Sequence, residues 1–226
     1  MSAPVKRGAM AQKLRDTYTE DLSLAQVHQW SEHSTQELDQ FITEVSKARQ
    51  ELGKQPAGAA ATPTAVLQLL QRYQQLGKSV FEAVEQIRLV IAIRIPERKE
   101  EDNLGVAVQF AVLGSLDTIQ NALVKGSSEG KEGGASLPCG VFVAREYLKE
   151  RGAVEEKVLG DGKEEKKKVP PSALLELQQI DTDYLLRVEM AALHVSVLLK
   201  AFINSYALNW KKLIDPRNSS RDRMVA

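Results

Sequence analysis

Val66, Leu69, Leu70, Tyr73, Leu76, Val80, Val84, Ile87 and Ile91 fall at steps of three and four residues, the spacing of one face of an α-helix. A stripe of that length cannot be folded as a strand. It predicts a helix from about Thr64 to Arg94, roughly 46 Å long at ~1.5 Å per residue. Its β-rich ending, "RLVIAIRI", continues the same stripe and no second strand is in sight to pair with it. Thr62-Pro63 supplies an N-cap and a first-turn proline.

Three further stretches carry the same period. Leu14, Tyr18, Val27, Trp30, Leu38, Phe41, Val45 and Leu52 predict a first long helix, ended by the connector "GKQPAGAAATPT". After Pro96, Asp102 or Asn103 can cap a third, with Leu104, Val108, Val112, Leu116, Ile119 and Leu123 as its apolar positions. That pattern is interrupted by "KGSSEGKEGGASLPCG", whose five glycines cannot stay helical cheaply, and resumes at "VFVAREYLKERG". A second polar break, "GDGKEEKKKVPP", follows. Ser172 can cap a fourth helix through Leu177, Ile180, Tyr184, Val188, Ala191, Val195, Leu198, Phe202 and Trp210, stopping near Asp215-Pro216. The expectation is an all-α, up-down-up-down four-helix bundle. It occupies residues 10–215, with residues 1–9 a flexible extension or cloning remnant and 216–226 a flexible tail.

The composition narrows the function. Lysine plus arginine and aspartate plus glutamate both number 30, so no net field draws the chain to nucleic acid or an anionic membrane. No apolar run approaches a membrane span, no secretory signal is visible, and the single cysteine, Cys139, fits a reducing compartment. Three histidines, His28, His33 and His194, and one cysteine cannot build a zinc cage. No Glu-x-x-His pair is present for a di-iron bundle, and neither phosphate-binding glycine motif occurs. Neither cofactor nor metal is expected, and no residue is put forward as catalytic.

One stretch stands out: "IPERKEEDNLGVAVQ", residues 95–109. A helix–helix turn is polar, gains from a proline stop and wants an Asp or Asn cap, so a plain corner would account for most of it. Yet it is longer than a minimal turn, with an unbroken charged segment. It resembles the activation loop of the 11S (REG) proteasome activators, most of all their kinetoplastid branch: Ile-Pro, a charged segment, then Asn, an aromatic or Leu, and Gly-Val-x-Val-Gln. "EYLKERGAVEEK" and "LLRVEMAALHVSVLLKAFINSYALNWKKLIDPR" are similar to later helices of that family, and the likeness runs from about residue 10 to 226.

The resemblance implies a heptameric ring that caps the proteasome core particle without ATP, in the cytoplasm with the nucleus as a second location. C-terminal tails enter pockets between α-subunits, and activation loops hold the entrance gate open. Carried over to this chain, the loop (96–104) and its flank comprise Pro96, Glu97, Arg98, Lys99, Glu100, Glu101, Asp102, Asn103 and Gly105, with Glu101 or its neighbour Glu100 as the gate contact. The anchoring terminus is Met224, Val225 and the Ala226 carboxylate. This chain departs from related patterns in lacking a penultimate tyrosine, and its glycine-rich stretch at about 126–140 breaks a helix that is continuous in other members. Its first connector also lacks the lysine/glutamate-rich insert of animal members. The competing reading is a helical-bundle adaptor that uses its faces or charged tips to hold partner helices.

Overall fold

A computed structural model describes residues 7–17, 24–55, 64–96, 104–125, 140–159 and 171–217. They form six helices: α1 (Arg7–Thr17), α2 (Leu24–Lys54), α3 (Thr64–Ala92), α4 (Leu104–Lys125), α5 (Val143–Leu159) and α6 (Pro171–Ile214). No strand occurs among the described residues, and none of these helices is long and apolar enough to cross a membrane. The helices make two compact units, one of residues 1–35, 80–120 and 197–226, the other of 36–79 and 121–196.

In the second unit, neighbouring helices run antiparallel. Along α2 and α6, Gln178 Nε2 donates to Leu52 O (2.8 Å), Arg49 pairs with Glu189 (2.9 Å), and Ser196 Oγ donates to Asp39 Oδ1 (2.8 Å). Phe41 of α2 stacks on Tyr73 of α3 at 5.9 Å, beside an Arg72–Glu44 ion pair. On α5, Tyr147 and Arg151 lie one turn apart and both reach Asp181 of α6. Tyr147 Oη donates to Oδ1 at 2.8 Å, and Arg151 Nη1 donates to both carboxylate oxygens at 2.7 and 2.8 Å. Burial pushes the Asp181 carboxyl up, and the two donors pull it back.

In the first unit α3 and α4 are also antiparallel, with Arg88 reaching Asp117 and Gln120. Val84, Ile87 and Ile91 are buried there, as are Val112, Leu116, Ile119, Leu199, Phe202 and Tyr206.

Four expectations need correction. The first helix is two, α1 and α2, and Leu14 is 42% exposed rather than in the core. The helix predicted to end at Arg94 ends at Ala92, with Ile93 and Arg94 in a turn. Helix α6 opens on Pro171, whose missing N–H suits a first turn, so Ser172 lies inside the helix instead of capping it. At the start of α4 the buried face is turned: Leu104 is 70% exposed, Val108 is half-buried, and Gly105, Val106 and Gln109 are buried in their place.

The glycine-rich interruption is a splice into a helix. Val141 N–H donates to Leu123 O (2.8 Å), the carbonyl that residue 127 would serve in an unbroken ladder. The displacement equals the fourteen residues 126–139, which lie outside the described residues. With those positions discounted, Val141, Tyr147, Arg151 and Val154 fall on the same half of the helix as Ala122 and Leu123. Helices α4 and α5 are therefore in phase, and together they take the place of the expected third helix. On α3, Gly77 faces this junction: a Cβ there would lie 2.3 Å from Val141 Cγ1. Deleting residues 126–139, which joins Lys125 to Gly140, should leave helix content unchanged by circular dichroism and shift Tm by only a few degrees, about 1 kcal/mol or less, since loop-closure entropy varies slowly with length.

Candidate functional site

The corner after α3 is built on its last carbonyls. Arg94 N–H bonds Ile91 O (3.0 Å) and Ile95 N–H bonds Ala92 O (3.2 Å), a tightened final turn. Pro96 has no N–H to donate and stops the ladder. Carbonyls left over at such an end need donors from elsewhere. Arg15 of α1 supplies one, its Nε donating to Ile93 O at 3.1 Å. Arg94 turns its own buried guanidinium back, Nη1 to Val90 O at 2.8 Å. Burial lowers the Arg94 pKa from its ordinary value, with Tyr206 opposing that shift and Arg15 adding to it. Burial likewise holds the Tyr206 phenol above its usual range; the ring sits between Phe202 (5.5 Å) and Trp210 (5.3 Å).

Gln109, one turn into α4 and wholly buried, supplies the other donor. Its Nε2 donates to Arg94 O (3.3 Å) at the end of α3 and to Leu213 O (2.9 Å) in the last turn of α6. A few residues earlier, Gly105 lies against Pro216. A Cβ at 105 would stand 2.0 Å from Pro216 O, so only glycine lets the two backbones approach this closely. The stems of segment 97–103 and the root of segment 218–226 thus meet in one joint, made by Arg15, Arg94, Gly105, Gln109, Leu213 and Pro216.

Of the residues singled out from the sequence, Pro96 and Gly105 are in this joint. Glu97, Arg98, Lys99, Glu100, Glu101, Asp102 and Asn103 lie outside the described residues, as do Met224, Val225 and Ala226. Sequence reasoning put Arg94 and Pro216 at helix ends and Gln109 at the close of the loop motif, but gave none of them a contact. Elsewhere, His28 and His33 are exposed, His28 standing 3.9 Å from Glu32, and Cys139 is outside the described residues. Among the described residues no group of three or more His, Cys, Asp or Glu is placed to hold a metal. The joint holds backbone in place, fixing the residues that flank 97–103 against those that precede 218.

The family profile "Proteasome activator PA28, C-terminal" matches residues 59–131. A chain in the structure of an archaeal 20S proteasome–PA26 complex is 46% identical, with 94% of this chain and 96% of that one covered and a TM-score of 0.80. A chain from the yeast 20S proteasome in complex with the proteasome activator PA26 from Trypanosoma brucei is 38% identical, with 96% and 100% covered and a TM-score of 0.72. The 11S subunit of the Plasmodium falciparum proteasome, PA28, shares the fold at 13% identity and a TM-score of 0.54, over 92% and 95% of the two chains. No curated protein sequence matches the chain.

Proposed function

Because the chain belongs to the 11S family of proteasome activators, we propose that seven copies form a ring that caps the proteasome core particle and opens its entrance gate without ATP. The observation that carries this reading is the likeness, over nearly the whole of both chains, to PA26, whose structures hold it on 20S proteasomes. In this reading the activator cuts no bond itself and works wherever core particles do, in the cytoplasm and the nucleus.

The two segments that adjoin the joint divide the work. Met224, Val225 and the Ala226 carboxylate enter pockets between α-subunits. One short tail that orders on binding has low affinity, and a ring of several overcomes that through effective concentration. Segment 97–103, held by Pro96 on one side and Gly105 on the other, presses on the α-subunit turn that governs the gate. Glu101 is the contact, and Glu100 its alternate. A loop on a rigid base transmits displacement to its partner; on a soft base it would yield instead.

The test is hydrolysis of a short fluorogenic peptide by purified core particle with and without the protein. Stimulation by the full chain is the expected result. A chain lacking Met224–Ala226 should still form rings, with its half-saturating concentration raised at least about a hundredfold through lost avidity. A full-length ring that neither binds nor stimulates core particle at low salt would overturn the activator reading.

A further inference from the structure

Gln109 has no part in the division of labour just described, yet it is placed to link its two halves. The carbonyls it binds belong to residues 94 and 213, far apart in sequence and each just ahead of a segment assigned to the proteasome. One amide nitrogen carries two hydrogens, and here they serve two acceptors, so its donors are fully used. The orientation of the amide is fixed as well, because a flipped side chain would aim Oε1 at two carbonyl oxygens. As it stands, Oε1 accepts no bond within the described residues, although it is buried. Methionine would fill nearly the same volume and remove the unpartnered Oε1, but it would also take the donor from both carbonyls. The amide is thus better suited to aligning two backbones than to adding adhesion.

Gly105 supplies the other half of the arrangement. It seats the start of α4, and so the second stem of the loop, directly on the Pro216 backbone from which the tail departs. Both loop stems are thereby referred to the root of the tail.

We propose that Gln109 is a positioning residue for gate opening: it ties the loop to the tail root, so that a tail seated in its pocket fixes where the loop meets the α-subunit. The inference rests on the activator reading. It goes beyond that reading in making the loop's position depend on the tail's through one buried amide.

The test is a titration of core particle with Gln109→Met rings, recording ring mass, half-saturating concentration and maximal stimulation of peptide hydrolysis. Ring mass should match wild type and the half-saturating concentration should stay within about twofold, because the tail is untouched. Maximal stimulation should fall about fivefold or more, the loss expected when two hydrogen bonds no longer hold the competent arrangement. A purely structural glutamine would not separate these quantities. Full stimulation by Gln109→Met overturns the proposal, and so does a loss that tracks ring mass or half-saturation. Should Gln109→Met fail to assemble, Gly105→Ala strains the same joint from the opposite side and must give the same split. Wild-type rings are measured first: if they do not stimulate, it is the activator reading that fails.

Discussion

Alanine at Glu101 is expected to leave the ring seated on the core particle while removing most of its stimulation of peptide hydrolysis. The magnitude follows from how the contact is multiplied. A charge-assisted hydrogen bond from one carboxylate contributes about 1.5 kcal/mol at the low end, so seven in the proposed ring supply about 10 kcal/mol. Carrying a two-state gate from one part in a hundred open to nearly all open needs about 5.5 kcal/mol. On the proposed reading the Glu101 contacts suffice by themselves, and without them the gate falls back toward its closed arrangement. Stimulation should drop at least about tenfold, with the half-saturating concentration nearly unchanged because the tails still anchor the ring. The same measurement on Glu100→Ala distinguishes the two acids. Undiminished stimulation by Glu101→Ala would remove Glu101 from the gate contact.

The second large effect concerns the fold. Arg151→Met should lower Tm at neutral pH by roughly 10 °C, because breaking a buried ion pair costs about 3–5 kcal/mol and each kcal/mol shifts a chain of this size by about 2–4 °C. Asp181 keeps its burial and loses the guanidinium that pulled its pKa down, leaving Tyr147 as its remaining donor. Its folded-state pKa then rises further above the unfolded value. A group shifted that way stabilises the fold most below the unfolded pKa and loses that contribution as pH rises through the folded one. The deficit of Arg151→Met relative to wild type should accordingly shrink on acidification toward about pH 4. Adding Asp181→Asn removes the stranded charge, so the double variant should melt above Arg151→Met at neutral pH. Thermal melts of the four proteins at two pH values decide it, and additive losses would mean the pair is uncoupled.

The long stripes were legible because α3 and α6 bury one apolar face over many turns, and periodicity reads such a face directly. Reading failed where a tertiary partner overrides the apolar pattern. At the start of α4, Leu104 and Val108 looked like core positions. Yet Gly105 must face Pro216, and Gln109 must face carbonyls at residues 94 and 213. A polar side chain buried for its hydrogen bonds looks like solvent-facing surface in a linear pattern, and its partners are too distant in sequence for local spacing to reveal. The same blindness hid Asp181, which sits on the core side of α6 only because Tyr147 and Arg151 meet it there. Along the first stripe, Tyr18 and Val27 are nine residues apart, and that gap in the pattern falls where α1 and α2 are separate helices. The corner itself stood out in sequence through Pro96 and its charges. The joint beneath it did not, since its acceptors are backbone atoms, the same in every residue.

The splice between α4 and α5 makes the chain modular. Its two ends close on a single 2.8 Å hydrogen bond, and loop-closure entropy varies only slowly with the length of what is threaded between them. A guest domain whose own termini lie side by side can be seated there without lengthening or rotating either helix. Repeated around the proposed ring, that position would display a crown of identical guests, each carried at a fixed point on its protomer and separate in the chain from both the loop and the tail.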